Sequence, residues 1–453
     1  PGGAGGVPGA PPAPRPGRSR RLSRAASVAR PQAAYVTRPR AASVARPTLA
    51  GHRTAGTGPV PMEHLVTLDT YTARRAGGRT LLRRAAVALT GAGAALGLAM
   101  APASAAAGGW EPVPDPDSTS WVDAVLPAAD GTVFARGGYY PQGDPGSGEF
   151  STYWQRDGAS WKKIPTPKNQ SLDTYGDDLW TATSAKDLWV VGSMAATPSI
   201  VNHWNGTAWQ DRSPADKTVE FKAVKAVAPN DVWAVGETTW RSDRQTQQGV
   251  IGHWNGTAWK ITKLPQATNG HTSLGALQVL SANDVWAAGK ICTIQDARTC
   301  RGYVTHYDGT AWKEVAVPQG TIGVNELTAS PSGQVWAAAG TTVLRRTGDT
   351  WDTSASVNLP SVYGVTELTW VKGTLYAGLG QNQPSKQTGV LRWTGSAWES
   401  VTSPYAPKSE WETIAAVTSL TGGPDGSLWA TGTSYAFFAT GQFASRLPAG
   451  ATR

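Results

Sequence analysis

Carboxylates, histidines and a few loop aromatics are the side chains of this chain whose types and spacing could support chemistry. Asp123, Asp178, Glu326, Glu367 and Glu412, together with Asn325, each stand near the start of a short apolar run. Gathered at the mouth of a channel, such acids could hold a cation, serve as acid–base groups on a glycan, or simply hydrate a rim. No two of them show a spacing that fixes a catalytic pair, so the rim is the favoured reading and no catalytic residue is assigned. His203, His253 and His306 lie 50 and 53 residues apart, at one position of a repeating pattern. Histidines in series invite a metal reading, but equivalent positions of successive repeats are too distant to share one small ion. The repeat accounts for them, and neither a metal site nor a cofactor is expected.

A third group is Tyr139, Tyr140, Trp240, Arg241 and Arg244. Trp240 falls outside the periodic tryptophans, so core packing does not explain it. Aromatic rings beside polar groups suit stacking on a sugar, and loops on a rigid scaffold are where binding concentrates. Asp123, Asp178, Glu326 and Glu367 join this group as expected ligand contacts on the same face. Asn205-Gly206-Thr207 and Asn255-Gly256-Thr257 match the glycosylation sequon, yet they also fit a hairpin turn, and the next repeat has Asp308 at that position. The turn is the stronger reading. Cys292 and Cys300, the two cysteines of the chain, flank a seven-residue segment and read as a disulfide in an exported protein.

The elements that must position these residues are strands. One unit repeats: Asn230-Asp231-Val232-Trp233-Ala234-Val235-Gly236, a variable stretch, then His253-Trp254-Asn255-Gly256-Thr257-Ala258-Trp259. The first element recurs around Trp189, Trp286, Trp336 and Trp429, and in weaker form around Phe134 and Tyr376, which makes seven. The second ends at Trp161, Trp209, Trp259, Trp312, Trp351 and Trp398, spaced by 48, 50, 53, 39 and 47 residues. Each unit reads as four short strands, a to d. Strand a is an apolar run such as 221–227, strand b carries the first Trp, strand c ends near the histidine, and strand d begins at the second Trp. The Asn-Gly and Asp-Gly pairs at 205–206, 255–256 and 308–309 predict a c–d hairpin with positive φ at both central residues.

Four antiparallel strands every 40–50 residues predict an all-β, seven-bladed β-propeller spanning 106–453. The seventh repeat has room for a strand c near 442–447 but none for a strand d. Gly109-Trp110-Glu111-Pro112-Val113-Pro114 resembles the d-strand sequence from Ala311 to Pro318, so the N-terminal strand is expected to close the last blade. The b–c loops, Tyr139–Glu149, Glu237–Gln248, Lys290–Arg301 and Leu379–Thr388, vary most. They share one face with the d–a loops.

The segment before the repeats differs in kind. Residues 1–61 are rich in Pro, Ala, Gly and Arg, duplicate the stretch 24–31 at 40–47, and lack the large apolar residues that would offset ordering. They read as disordered, or as an upstream extension of a frame that starts near Met62. Within 62–105, an arginine cluster from Arg74 to Arg84, an uncharged apolar run over 85–100 and Ala103-Ser104-Ala105 form a secretory signal peptide. Arg83-Arg84 also allows the twin-arginine route. The run is too short and too rich in Ala and Gly for a comfortable membrane span. The leader also explains the charge. It holds 15 Arg and only Glu63 and Asp69 as acids, which leaves 26 basic and 30 acidic residues beyond position 105. That slightly acidic balance removes the electrostatic case for a nucleic-acid partner.

The repeats resemble the Trp-rich propeller repeats of exported proteins of high-GC Gram-positive bacteria. They are more distantly similar to kelch and galactose-oxidase-like propellers, which share the repeat length. They depart from kelch in carrying a single Gly after strand b (Gly192, Gly236, Gly289), with a doublet only at Gly137-Gly138. The resemblance implies a fold rather than an activity. The expected function is that of a secreted, monomeric binding or scaffold propeller with an extracellular carbohydrate or protein ligand. A glycan hydrolase or lyase using the channel-mouth acids is the alternative.

Overall fold

The computed structural model describes residues 2–3, 109–118, 120–139, 150–167, 179–192, 198–239, 247–293, 299–358, 362–385, 389–406, 412–436 and 439–451. The chain divides into two units, Pro1–Ala94 and Ala95–Arg453, and the architecture below is that of the second. It is an all-β propeller fold, and the described residues contain no α-helix.

Five four-stranded antiparallel sheets follow one another along the chain, each in simple meander order. Their inner strands are Ser120–Pro127, Trp180–Ser184, Val219–Ala228, Gly270–Ser281 and Glu326–Ala329. The sixth sheet has eight strands. It contains the sixth repeat, with inner strand Val362–Val371, and the seventh, with strands Glu412–Gly422, Leu428–Ala436 and Ala439–Leu447. The two halves join where Thr374–Ser385 meets Glu412–Gly422. On the far edge, Glu111–Pro112 runs antiparallel to Ala439–Leu447, with Glu111 opposite Arg446 and Pro112 opposite Ser445. The Val113 N–H adds a 2.9 Å bond to the Ala444 carbonyl. Inner strands of successive repeats touch in sequence, and Ser120–Pro127 touches the strands of the seventh repeat.

Two local features follow from the sequence. The first is a bulge in strand a, which shifts register between Phe221 and Ala223 and again between Leu274 and Ala276. The bulge drives a strand-a carbonyl against strand b. A Cβ on Gly236 would lie 1.9 Å from the Glu220 carbonyl oxygen, and one on Gly289 would lie 2.0 Å from that of Ser273. This contact explains the glycine after Trp233-Ala-Val and after Trp286-Ala-Ala. Gly236→Ala is expected to destabilise the fold by about 3 kcal/mol, the upper range for overpacking. Gly275→Ala, where a Cβ meets nothing within 4 Å, should be close to neutral in the same denaturant titration.

The second is the c–d turn, which differs from the mirror-image hairpin expected. Four residues separate the paired Trp204 and Trp209, and only the glycine has positive φ: Gly206 at 92°, Gly256 at 94° and Gly309 at 88°. The residue before it is recruited as a cap. Asn205 Oδ1 accepts from the Thr207 N–H at 3.0 Å, the Thr207 hydroxyl at 2.8 Å and the Ala208 N–H at 2.9 Å. Asn255 and Asp308 repeat the pattern. An Asx turn therefore consumes the side chains that the sequon would offer. In the third repeat, strand a also runs further than 221–227, and strand c of the seventh repeat begins before 442, because their ladders continue into the loops.

Tryptophan fills the space between sheets. The d-strand Trp of one repeat packs on the b-strand aromatic of the repeat before it. Trp259 lies 6.3 Å from Trp189, Trp312 6.2 Å from Trp233 and Trp351 6.2 Å from Trp286, ring centre to ring centre. Trp161 shares a core with Trp429, and Trp110 one with Tyr376. Several of these indoles also donate to a main-chain carbonyl near the end of the preceding strand d. Trp259 reaches Arg212 at 2.6 Å, Trp398 reaches Ala355 at 2.6 Å, Trp161 reaches Pro114 at 2.9 Å and Trp110 reaches Thr402 at 2.7 Å. Trp209 bonds Pro165 in the same way.

Candidate functional site

The three histidines are parts of a repeated scaffold device. Asp187 Oδ1 accepts from Trp189 Nε1 at 2.8 Å and bonds His203 Nε2 at 2.8 Å, while the His203 ring stacks on Trp189 at 4.4 Å. Asp231, Trp233 and His253 repeat this with distances of 3.1, 2.8 and 4.0 Å. Asp284, Trp286 and His306 do so with 2.9, 2.8 and 4.2 Å. Where the sequence places arginine at the histidine position, the guanidinium covers the ring instead, as with Arg345 over Trp336 and Arg446 over Trp429, both at 5.5 Å. Among the described residues no group of three or more His, Cys, Asp or Glu is arranged to hold a metal ion.

The acids separate into two sets. Asp123 sits in the strand-a bulge and accepts from Arg136 Nε at 3.0 Å, so its carboxylate is engaged in an ion pair instead of standing free at a rim. Arg136 in turn lies over Trp180 of the next repeat at 5.6 Å. In the third repeat the bulge residue is Lys222, which bonds Glu237, one residue past the strand-b glycine, at 2.6 Å. Asn325 spans two repeats by donating to the Val365 carbonyl at 3.0 Å. Glu326 and Glu367 form the second set. Both line a central cavity of about 150 Å³, with Lys225, Gln278, Thr181 and Thr421 contributed by other inner strands. Glu326 is buried at 5% exposure. Lys225 and Gln278 are lining residues that sequence reasoning missed. Their shared signal is a polar side chain three residues before the end of strand a.

The loop candidates have a different fate. Tyr140, Asp178, Trp240, Arg241 and Arg244 lie outside the described residues, and so does the side chain of Glu412; Tyr139 ends strand b of the first repeat. Cys292 and Cys300 stand opposite each other on neighbouring strands and are joined by a disulfide.

A larger cavity, about 780 Å³, opens between the third and fourth repeats at their outer strands. Tyr303 and Leu264 form its floor, and Lys260, Thr262, Tyr307, Trp312, Arg301 and Glu314 its walls. Sequence reasoning gave no hint of it. No departure from the repeat announces it, since Thr262 is short like Ile164 and Val315 at the same place in other repeats.

No family model matches the chain, and no curated protein does. Solved structures do. YCF48 bound to a D1 peptide aligns at 14% identity and a TM-score of 0.47, over 76% of this chain and 97% of that one. A catalytically inactive virginiamycin B lyase from Staphylococcus aureus with quinupristin aligns at 10% and 0.48, over 75% and 98%. The WD40 propeller domain of Doa1 aligns at 12% and 0.49, over 75% and 96%. These chains are propellers of diverse employment, and what this chain is similar to in them is a fold.

Proposed function

We propose that this chain is an exported recognition propeller of seven blades, cleaved after residue 105 and closed by its N-terminal strand at Glu111–Pro112. Its analogues are the Trp-rich repeats of exported bacterial proteins. Its ligand is an extracellular protein or carbohydrate, held on the face of the b–c and d–a loops by Tyr139, Tyr140, Trp240, Arg241 and Arg244. The observation that supports recognition over catalysis is the size of the central cavity. At about 150 Å³ it is smaller than the roughly 300–1,000 Å³ of ordinary ligand sites, which leaves little space for a glycan chain beside Glu326 and Glu367. That these two glutamates share one cavity is also what favours the second reading, a glycan hydrolase or lyase.

One experiment separates the two. The purified chain is screened on arrays of glycans and of extracellular-protein peptides, and each ligand found is then assayed for cleavage. The expected result is binding without turnover, weakened at least about tenfold, or ~1.4 kcal/mol, by Trp240→Ala. Turnover that Glu326→Gln or Glu367→Gln abolishes would replace recognition with the enzyme.

A further inference from the structure

The cavity between the third and fourth repeats marks a break in the tryptophan pattern. At five other junctions the d-strand indole donates to a main-chain carbonyl of the preceding repeat. Trp312 makes no such bond to any described residue; its ring is half-buried and walls the cavity. An indole N–H beside an open, partly apolar space lacks the acceptor that five counterparts have; Trp351 Nε1 also lacks one, but it is buried.

The second repeat shows how such a wedge is filled, with an arginine at a place where other repeats carry short side chains such as Ile164 and Val315. In the second repeat Arg212 follows strand d, and its guanidinium lies over Trp254 of the third repeat at 5.5 Å, filling the wedge between the two sheets. His203 pairs with Gln210 as His253 pairs with Lys260, so the register counterpart of Arg212 is Thr262. Threonine is too short to cross the same gap. The ring it would reach is Tyr307, which stands where the third repeat has Trp254.

Charge indicates what fits. Lys260, Lys263 and Arg301 line the cavity against one acid, Glu314. Lys263 is held by Asp216 at 2.9 Å and Arg301 by Glu314 at 2.7 Å, whereas Lys260 makes no ion pair with a described residue. The site therefore offers a free ammonium, a net positive field, tyrosine rings and an indole donor. Both bordering strands, Trp259–Lys263 and Trp312–Val315, are sheet edges. At the five junctions where the indole is bonded, its partner is a main-chain carbonyl oxygen.

From this we infer that the cavity between the third and fourth repeats binds an extended acidic peptide of a partner protein. A backbone carbonyl of the peptide accepts from Trp312 Nε1, and a carboxylate side chain pairs with Lys260. This groove lies between the outer edge strands of two sheets.

The test begins with a displayed library of random dodecapeptides panned against the purified chain. Enriched sequences should carry Asp or Glu, and their affinities should fall steeply with added salt. In fluorescence anisotropy, Trp312→Phe, which keeps a ring but removes the N–H, should weaken the selected peptide about tenfold. Lys260→Glu should weaken it further, and Thr262→Arg should abolish binding by restoring the filler. Thermal melts within a few degrees of the parent show that the variants are folded. Trp240→Ala should leave this affinity unchanged, which keeps the outcome distinct from that for the loop face. Recovery of no peptide, recovery of peptides without acids, or affinities indifferent to Trp312→Phe and Thr262→Arg would each overturn the proposal. An oligogalacturonate that binds with the same dependence on Trp312 while no peptide does would overturn the peptide assignment.

Discussion

Deletion of residues 109–117 is expected to abolish the cooperative unfolding transition, and Trp110→Ala alone to destabilise the chain by about 3–5 kcal/mol. Trp110 is fully buried, in a core with Tyr376, Leu428, Phe443 and Leu447. A buried indole removes about 200 Å² from water, on the order of 5 kcal/mol gross as an upper bound. The deletion removes more than one ring. It exposes the edge of Ala439–Leu447, takes the Trp110 indole from the Thr402 carbonyl, and takes the Pro114 carbonyl from the Trp161 indole. Chemical denaturation followed by tryptophan fluorescence reads both variants. A truncated chain with an unchanged midpoint would show that the segment is ornamental and would remove the closure proposed above.

Asp187→Ala is expected to rank with the worst single substitutions, at about 3–5 kcal/mol, because it strands several buried donors at once. Asp187 is 1% exposed and serves Trp189, His203 and Thr183 together. Asp231→Ala should be milder, since Asp231 and His253 are more open to water and screening reduces what the pair contributes. The same carboxylate predicts an acid limb. Burial alone would raise its pKa, but the bonds from His203, Thr183 and Trp189 outweigh that and hold it below the ordinary 3.8. A group whose pKa is depressed on folding contributes stability above its unfolded value. That stability is lost as pH falls through the folded value. Stability should thus decline below about pH 4, and the decline should be shallower in Asp187→Asn. Equal acid profiles for the two proteins would reassign the effect to other carboxylates.

Much of the fold could be read from the chain because its strongest signal is periodic. The b-strand aromatics and d-strand tryptophans recur at fixed places in a four-strand unit, and burial of large rings leaves few alternatives. What the pattern could not convey is where each polar atom goes. The Asn-Gly pairs announced a hairpin, but whether Asn205 adopts positive φ or caps the loop depends on loop length, which a two-residue signal does not specify. Asp123 looked like a rim acid because alternation along an ideal strand would aim it at the channel. The bulge beside it changes the aim and delivers it to Arg136. The wedge at Thr262 escaped notice for a different reason. Short side chains such as Ile164 and Val315 hold the same place in other repeats, so nothing about Thr262 sets it apart in the sequence. Of the loop aromatics on which the first binding hypothesis rests, Tyr140 and Trp240 lie outside the described residues, so that hypothesis stands on sequence.

The meeting of Glu111–Pro112 with Ala439–Leu447 has a topological consequence. A Cβ placed on Gly109 would be 3.4 Å from the Cβ of Ala451, so the two ends of the folded unit abut. Its backbone is in effect a loop of polypeptide cut once, at a point where the cut breaks no packed interface. Circularly permuted chains, with 109 and 451 bridged and new ends placed in one of the c–d turns, preserve every strand pairing. They differ from the natural order only in which sheet contains both ends of the folded unit.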